Sequence, residues 1–127
     1  MAELQKIQTT SAPAAIGPYS QAIRAGNLVF LSGQIALDPV TMEIVEGDIA
    51  AQTQQVFKNL TAVAKAAGGS LQNAAKLTIY LLDLGDFSQV NSIMAEYFDE
   101  PYPARATIEV SALPKGSKIE IDAILNL

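Results

Sequence analysis

Arg105 is one of two arginines in a chain with thirteen carboxylates and neither histidine nor cysteine. It lies in Pro103-Ala104-Arg105-Ala106-Thr107-Ile108-Glu109-Val110, whose later residues alternate polar and apolar as a strand does. An arginine entering a strand presents a planar, permanently charged fork that matches the geometry of a carboxylate. Other chemistries are excluded by residue type. Without cysteine there is no thiolate nucleophile, thiolate metal site or disulfide, and without histidine no serine triad can be built. Metal ligands would have to be carboxylates alone, and Asp83 with Asp86 or Asp99 with Glu100 read as caps and loop charges. Gly68-Gly69 follows a helical pattern instead of preceding one, so it is not a phosphate loop.

The elements that must position Arg105 are legible from periodicity. From Ile49 to Ala67, Ile49, Val56, Leu60, Val63 and Ala67 recur at helical spacing behind Asp48, an N-capping residue type. Gly68 ends that helix, since glycine takes the left-handed conformation a helix terminus often needs. A second helix is expected from Asp86, with Gln89 three residues on as a capping-box-like pair, to about Asp99. Its inner side would carry Val90, Met94, Tyr97 and Phe98, and Pro101 and Pro103 stop it. Ile23-Arg24-Ala25 and Leu28-Val29-Phe30-Leu31 flank Gly26-Asn27, a two-residue hairpin signal. Lys76 to Leu82 and Lys118 to Leu125 alternate as strands, and a short strand is expected near Lys6 to Thr9. The order β-β-β-α-β-α-β-β predicts one α+β domain over residues 1–127, a two-layer sandwich with both helices on one face of a single mixed sheet.

If the helices cover the aliphatic face, the chemistry falls to the other. Period-two geometry groups Arg105 with Thr107 and Glu109, Glu120 with Lys118 and Asp122, and Ser32 with Phe30 and Gln34. All of them are expected on the uncovered face. That face is either simply solvated or a contact surface. Phe30, Tyr80 and nearby Tyr19 favour a self-associating surface with clefts where subunits meet. The net charge of −5 argues against nucleic acid or an anionic membrane, because Lys58, Lys65, Lys76, Lys115 and Lys118 are scattered along the chain. No apolar run reaches the length of a membrane span, and Met1 to Lys6 lacks a signal pattern, so a cytoplasmic location is expected.

Five motifs, in order and spread over the whole chain, resemble the RidA/YjgF family. They are Gly17-Pro18-Tyr19-Ser20-Gln21-Ala22, Ser32-Gly33-Gln34-Ile35, Asp86-Phe87 with Asn91, Pro103-Ala104-Arg105, and Leu113-Pro114-Lys115-Gly116 leading to Ile119-Glu120-Ile121. The resemblance implies a chorismate mutase-like fold, a homotrimer with three clefts between subunits, and hydrolysis of 2-imino acids to 2-oxo acids and ammonium. By the same resemblance Arg105 clamps the substrate carboxylate and Glu120 holds and polarises the attacking water. Tyr19 closes the cleft over the substrate, and Ser32 and Gly33 supply a hydroxyl and close backbone approach. Asn91 contacts substrate or hydrogen-bonds loop backbone. No cofactor or metal is implied, because the iminium carbon is already electrophilic.

Two readings stay open beside these. Ser32-Gly33 has the composition of a β-bulge, and Arg105 would also serve an interface salt bridge, with Glu120 as its partner. The chain departs from the family pattern at Thr107, where many deaminating members have cysteine; the backbone N–H of Thr107 remains available to a carboxylate. A non-catalytic regulatory trimer that binds 2-oxo acids would use the same arginine, so Glu120 is the residue that discriminates enzyme from sensor.

Overall fold

Gly26, at a φ of 63°, turns the chain between β2 (Ala22–Ala25) and β3 (Leu28–Ile35), as the Gly-Asn pair predicts. The structure is a computed structural model that describes residues 3–127. Among these, β1 (Leu4–Ile7), β4 (Ala74–Leu81), β5 (Ala104–Glu109) and β6 (Ile119–Asn126) complete one sheet of order β1-β2-β3-β6-β4-β5. Only the β4–β5 pair is parallel; its neighbours are antiparallel. Helices α1 (Ile49–Ala66) and α2 (Phe87–Met94) pack on one face, giving the expected order and layering. No helix among the described residues is long and apolar enough to cross a membrane.

Capping and packing explain the helix ends. Asp48 accepts the Ala51 N–H at 3.1 Å and starts α1, and Gly68 leaves it at a φ of 93°. Val56, Phe57, Leu60 and Val63 bury the inner stripe of α1 against Val29, Leu77, Ile79, Ile121 and Leu125. The second helix differs from expectation. Asp86 makes no side-chain cap; Asp83 instead accepts the Gly85 N–H at 2.8 Å and opens a 3-10 turn that leads into α2. The helix stops at Met94, well before Asp99. Tertiary packing ends it: the Tyr97 ring stacks on Phe57 at 4.9 Å and the Phe98 ring meets the same ring edge-on at 6.0 Å. The backbone follows those rings through tighter turns, with Tyr97 N–H donating to the Met94 carbonyl.

A bulge interrupts β3. Leu31 pairs with Ala123 and Gln34 with Ile121, so β3 spends one residue more than β6 over the same span. The bulge reading of Ser32-Gly33 is therefore the right one. It also corrects the face of Gln34, which the extra residue rotates into the core, where it is buried. Ile35 takes the open-face place opposite Glu120.

Candidate functional site

The parallel pairing of β4 with β5 decides where the arginine points. Leu77 stands beside Arg105, Ile79 beside Thr107 and Leu81 beside Glu109. Side-by-side partners project to the same face, and those three aliphatic residues are fully buried in the core beneath the helices. Arg105, Thr107 and Glu109 therefore lie on the helix face, contrary to the expectation that they share the open face with Glu120. Alternation groups them correctly but does not say which face the group takes. At the sheet edge a helix-facing residue need not be buried: α2 is short, and Arg105 is exposed.

One side of α2 holds the guanidinium. Phe87, Asn91 and Met94 recur at helical spacing and line the same helix face. Arg105 Nη1 donates to Asn91 Oδ1 and lies 3.7 Å from Met94 Sδ, while its Cζ sits 5.0 Å from the centre of the Phe87 ring. The last contact is a cation–π arrangement. The Asn91 side chain thus accepts from the arginine instead of bonding loop backbone, and it orients the guanidinium. The rest of the fork faces a pocket of about 370 Å³ lined by Met94, Ala95, Tyr102 and Pro103.

The backbone beside Arg105 adds a donor. The Val110 N–H donates to the Leu81 carbonyl at 2.8 Å, so alternation sends the Ala106 and Ile108 N–H groups to β4 as well. Those of Arg105 and Thr107 then point to the free edge, since β5 is the last strand of the sheet. The Thr107 hydroxyl behaves differently: it is buried and without a hydrogen-bond partner.

Glu120 stands on the opposite face, between Tyr80 of β4 and Ile35 of β3. Its carboxylate lies over Gly33, where an added Cβ would come within 2.1 Å of Oε2. The bulge makes this approach possible. Ser32 anchors the bulge, donating its N–H to the Gln21 carbonyl at 3.0 Å and its hydroxyl to the Ser20 carbonyl at 2.6 Å. Tyr19 is 53% exposed at the cleft, its hydroxyl accepting the Ile16 N–H at 3.3 Å. Tyr19, Ser32, Gly33 and Glu120 share a cleft of about 530 Å³. Burial, and after it the Asp122 charge, pushes the Glu120 carboxyl above the ordinary carboxylate range.

Sequence reasoning brought out Phe87 and Lys115 only as letters of motifs, with no role. Phe87 cradles Arg105. Lys115 lines the Glu120 cleft with its backbone at a φ of 56°, and its Nζ donates to the carbonyl of Met42, itself at a φ of 59°. The Pro-Lys-Gly turn was the available signal for Lys115; for Phe87 there was none without the packing of α2 beside β5.

The candidate residues thus fall into two groups. Arg105, Asn91 and Thr107 form one at the β5 edge, and Tyr19, Ser32, Gly33 and Glu120 form the other. The two lie on opposite faces, with β4 between β5 and β6.

The chain has close relatives. The family model described as Endoribonuclease L-PSP matches residues 9–126. Protein DfrA of Myxococcus xanthus is 56% identical over 120 residues, which is 93% of this chain and 92% of that protein. The 2-iminobutanoate/2-iminopropanoate deaminase of Mus musculus is 48% identical over 118 residues, 93% of this chain and 87% of that one. The crystal structure of RidA from an Antarctic Psychrobacter superposes with a TM-score of 0.93 at 51% identity, covering 97% of this chain and 99% of that one. With sequence and fold agreeing almost from end to end, the chain belongs to the RidA/YjgF family.

Proposed function

We propose that this protein hydrolyses 2-imino acids, 2-iminobutanoate and 2-iminopropanoate among them, to 2-oxo acids and ammonium, in clefts built between the subunits of a homotrimer. The observation that carries the reading is the split site. A guanidinium fork at the β5 edge and a partly desolvated carboxylate on the other face are complementary halves that one protomer does not join. A second copy brings the missing half. Deaminase-named relatives at about half identity support the same chemistry.

In this reading Arg105, already oriented by Asn91 and Phe87, binds the substrate carboxylate together with the edge N–H of Thr107. Charge-assisted bonds of this kind are worth roughly 1.5–3 kcal/mol each, enough to orient so small a molecule. Glu120 from the neighbouring copy accepts a proton as water adds to the C=N carbon of the protonated imine. The tetrahedral amino alcohol then receives that proton on nitrogen, the C–N bond breaks, and ammonia leaves, to be protonated in water. The carbonyl of the 2-oxo acid forms as the hydroxyl gives up its proton. Tyr19 closes the cleft, while Ser32 and Gly33 shape its floor. Positioned proton transfer of this type contributes about 10²–10⁴-fold.

The test generates 2-iminobutanoate with a pyridoxal-phosphate threonine dehydratase and follows 2-oxobutanoate release at early times. Wild type should accelerate release over spontaneous hydrolysis. Glu120→Gln should lose nearly all of that acceleration and still bind 2-oxobutanoate, whereas Arg105→Ala should lose binding. Equal turnover by wild type and Glu120→Gln removes the catalytic assignment, and binding without any acceleration identifies a sensor. The family description names RNA cleavage, but a chain of net charge −5 is poorly suited to neutralising phosphates.

A further inference from the structure

We propose that Asp122, anchored by Tyr80, is a positioning residue that governs Glu120 as a proton carrier. The inference rests on the reading of Glu120 given above. Alternation along β6 places Glu120 and Asp122 on the same open face, two residues and about 7 Å apart along the strand. Across the ladder Tyr80 stands opposite Glu120 and Thr78 opposite Asp122. The Tyr80 hydroxyl nevertheless passes over its direct partner and donates diagonally to Asp122 Oδ2 at 2.9 Å. The phenol thus fixes the Asp122 carboxylate and leaves the Glu120 oxygens to the cleft, where Oε2 lies over Gly33.

The other groups around Glu120 bring little competing charge. On β3 its neighbours are Ser32, Gly33 and Ile35, all uncharged. The amino-terminal loop offers the Tyr19 phenol, and β4 offers Tyr80, whose own proton is held more tightly because it is shared with Asp122. Lys118, just ahead of β6, is exposed to solvent. Lys115 lines the cleft but spends its ammonium on the Met42 carbonyl. Asp122 is thus the carboxylate that acts on Glu120 from its own strand, and its charge adds to burial in opposing ionisation there. A carboxylate that must take a proton from water and return it to nitrogen works better when its proton affinity lies closer to the working pH than an ordinary carboxylate's does. Asp122 would supply part of that difference without touching substrate.

The experiment compares pH profiles of kcat/KM for imine hydrolysis in wild type, Asp122→Asn and Tyr80→Phe, with Glu120→Gln as reference. Removing the Asp122 charge should move the acidic limb to lower pH and leave 2-oxo acid affinity unchanged. Tyr80→Phe keeps that charge and should not lower the limb. An Asp122→Asn profile scaled down by one factor at every pH, with its limb unmoved, overturns the proposal and leaves Asp122 a merely structural residue. If Asp122→Asn does not fold, carboxyl-carbon NMR titration of the wild type decides: coupled titration of Glu120 and Asp122 supports the inference, and independent titration overturns it. Full activity in Glu120→Gln would sink the Glu120 reading itself. An inactive Glu120→Gln beside an unmoved limb sinks only the role of Asp122.

Discussion

Glu120 is easier to fold in its protonated form than in its ionised one. Burial first, and the neighbouring Asp122 charge second, raise its folded-state pKa above the ordinary 4.5. Between that value and the raised one the folded chain binds more proton than the unfolded chain. The stability tied to this group is therefore full below the ordinary carboxylate range, falls as pH rises through the raised pKa, and stays lost at neutral pH. Glu120→Gln, which carries no charge, should melt at a higher temperature than wild type near pH 7, and the gap should close at about pH 4. Thermal unfolding at the two pH values checks this, and a less stable variant near pH 7 would contradict the desolvation argument. Residue type singled out Arg105, and the family motif singled out Glu120. The service Phe87 and Asn91 give to Arg105 was not legible, because it depends on how a short helix lies beside an edge strand.

At the scale of the element, the bulge in β3 carries the Glu120 half-site. Its extra residue lets Gly33 lie directly under the carboxylate, and a methyl group there would come within 2.1 Å of Oε2 and 2.9 Å of Cδ. Those atoms are the far end of a flexible side chain, so the chain relieves the clash by swinging Glu120 aside instead of unfolding. Gly33→Ala should fold normally and lose imine hydrolysis by much of the roughly 10²–10⁴-fold due to positioned proton transfer. A variant with wild-type turnover, measured in the coupled dehydratase assay, would show that Glu120 need not sit over Gly33. The Ser-Gly pair signalled the irregularity, but its consequence, Gln34 turned inward and Ile35 outward, emerges only from the pairing of β3 with β6. The end of α2 is a similar case. Its apolar spacing continues toward Phe98, yet the stacked Tyr97 ring and the edge-on Phe98 ring against Phe57 bend the backbone away from the helix.

For the whole molecule, the open sheet face is the feature to account for. It presents Phe30 at 43% exposure and Ile108 at 44%, with Ala104, Ala106 and Tyr80 on the same side. Exposed apolar area of this kind suits a second copy of the chain, and the split site asks for the same thing. Arg105→Ala and Glu120→Gln subunits, each inactive alone, should regain activity when refolded together. In randomly mixed trimers about a quarter of the clefts would pair an intact Arg105 with an intact Glu120. Recovery near that level supports the shared cleft, and none at all would place both residues' work inside one protomer.

Local chemistry made much of this chain readable in advance. Glycine turns and hydrophobic periods of 2 and 3.6 residues act between near neighbours, so they determined the element order, the two-layer class and, away from the β3 bulge, the grouping of side chains by strand face. What alternation could not decide was which face each group took, since a period of two has no absolute sign. The parallel β4–β5 register settled that, turning Arg105 toward α2 and leaving Glu120 on the far side. The separation of one candidate site into two complementary halves belongs to tertiary structure alone, because it arises from contacts between residues far apart in the chain.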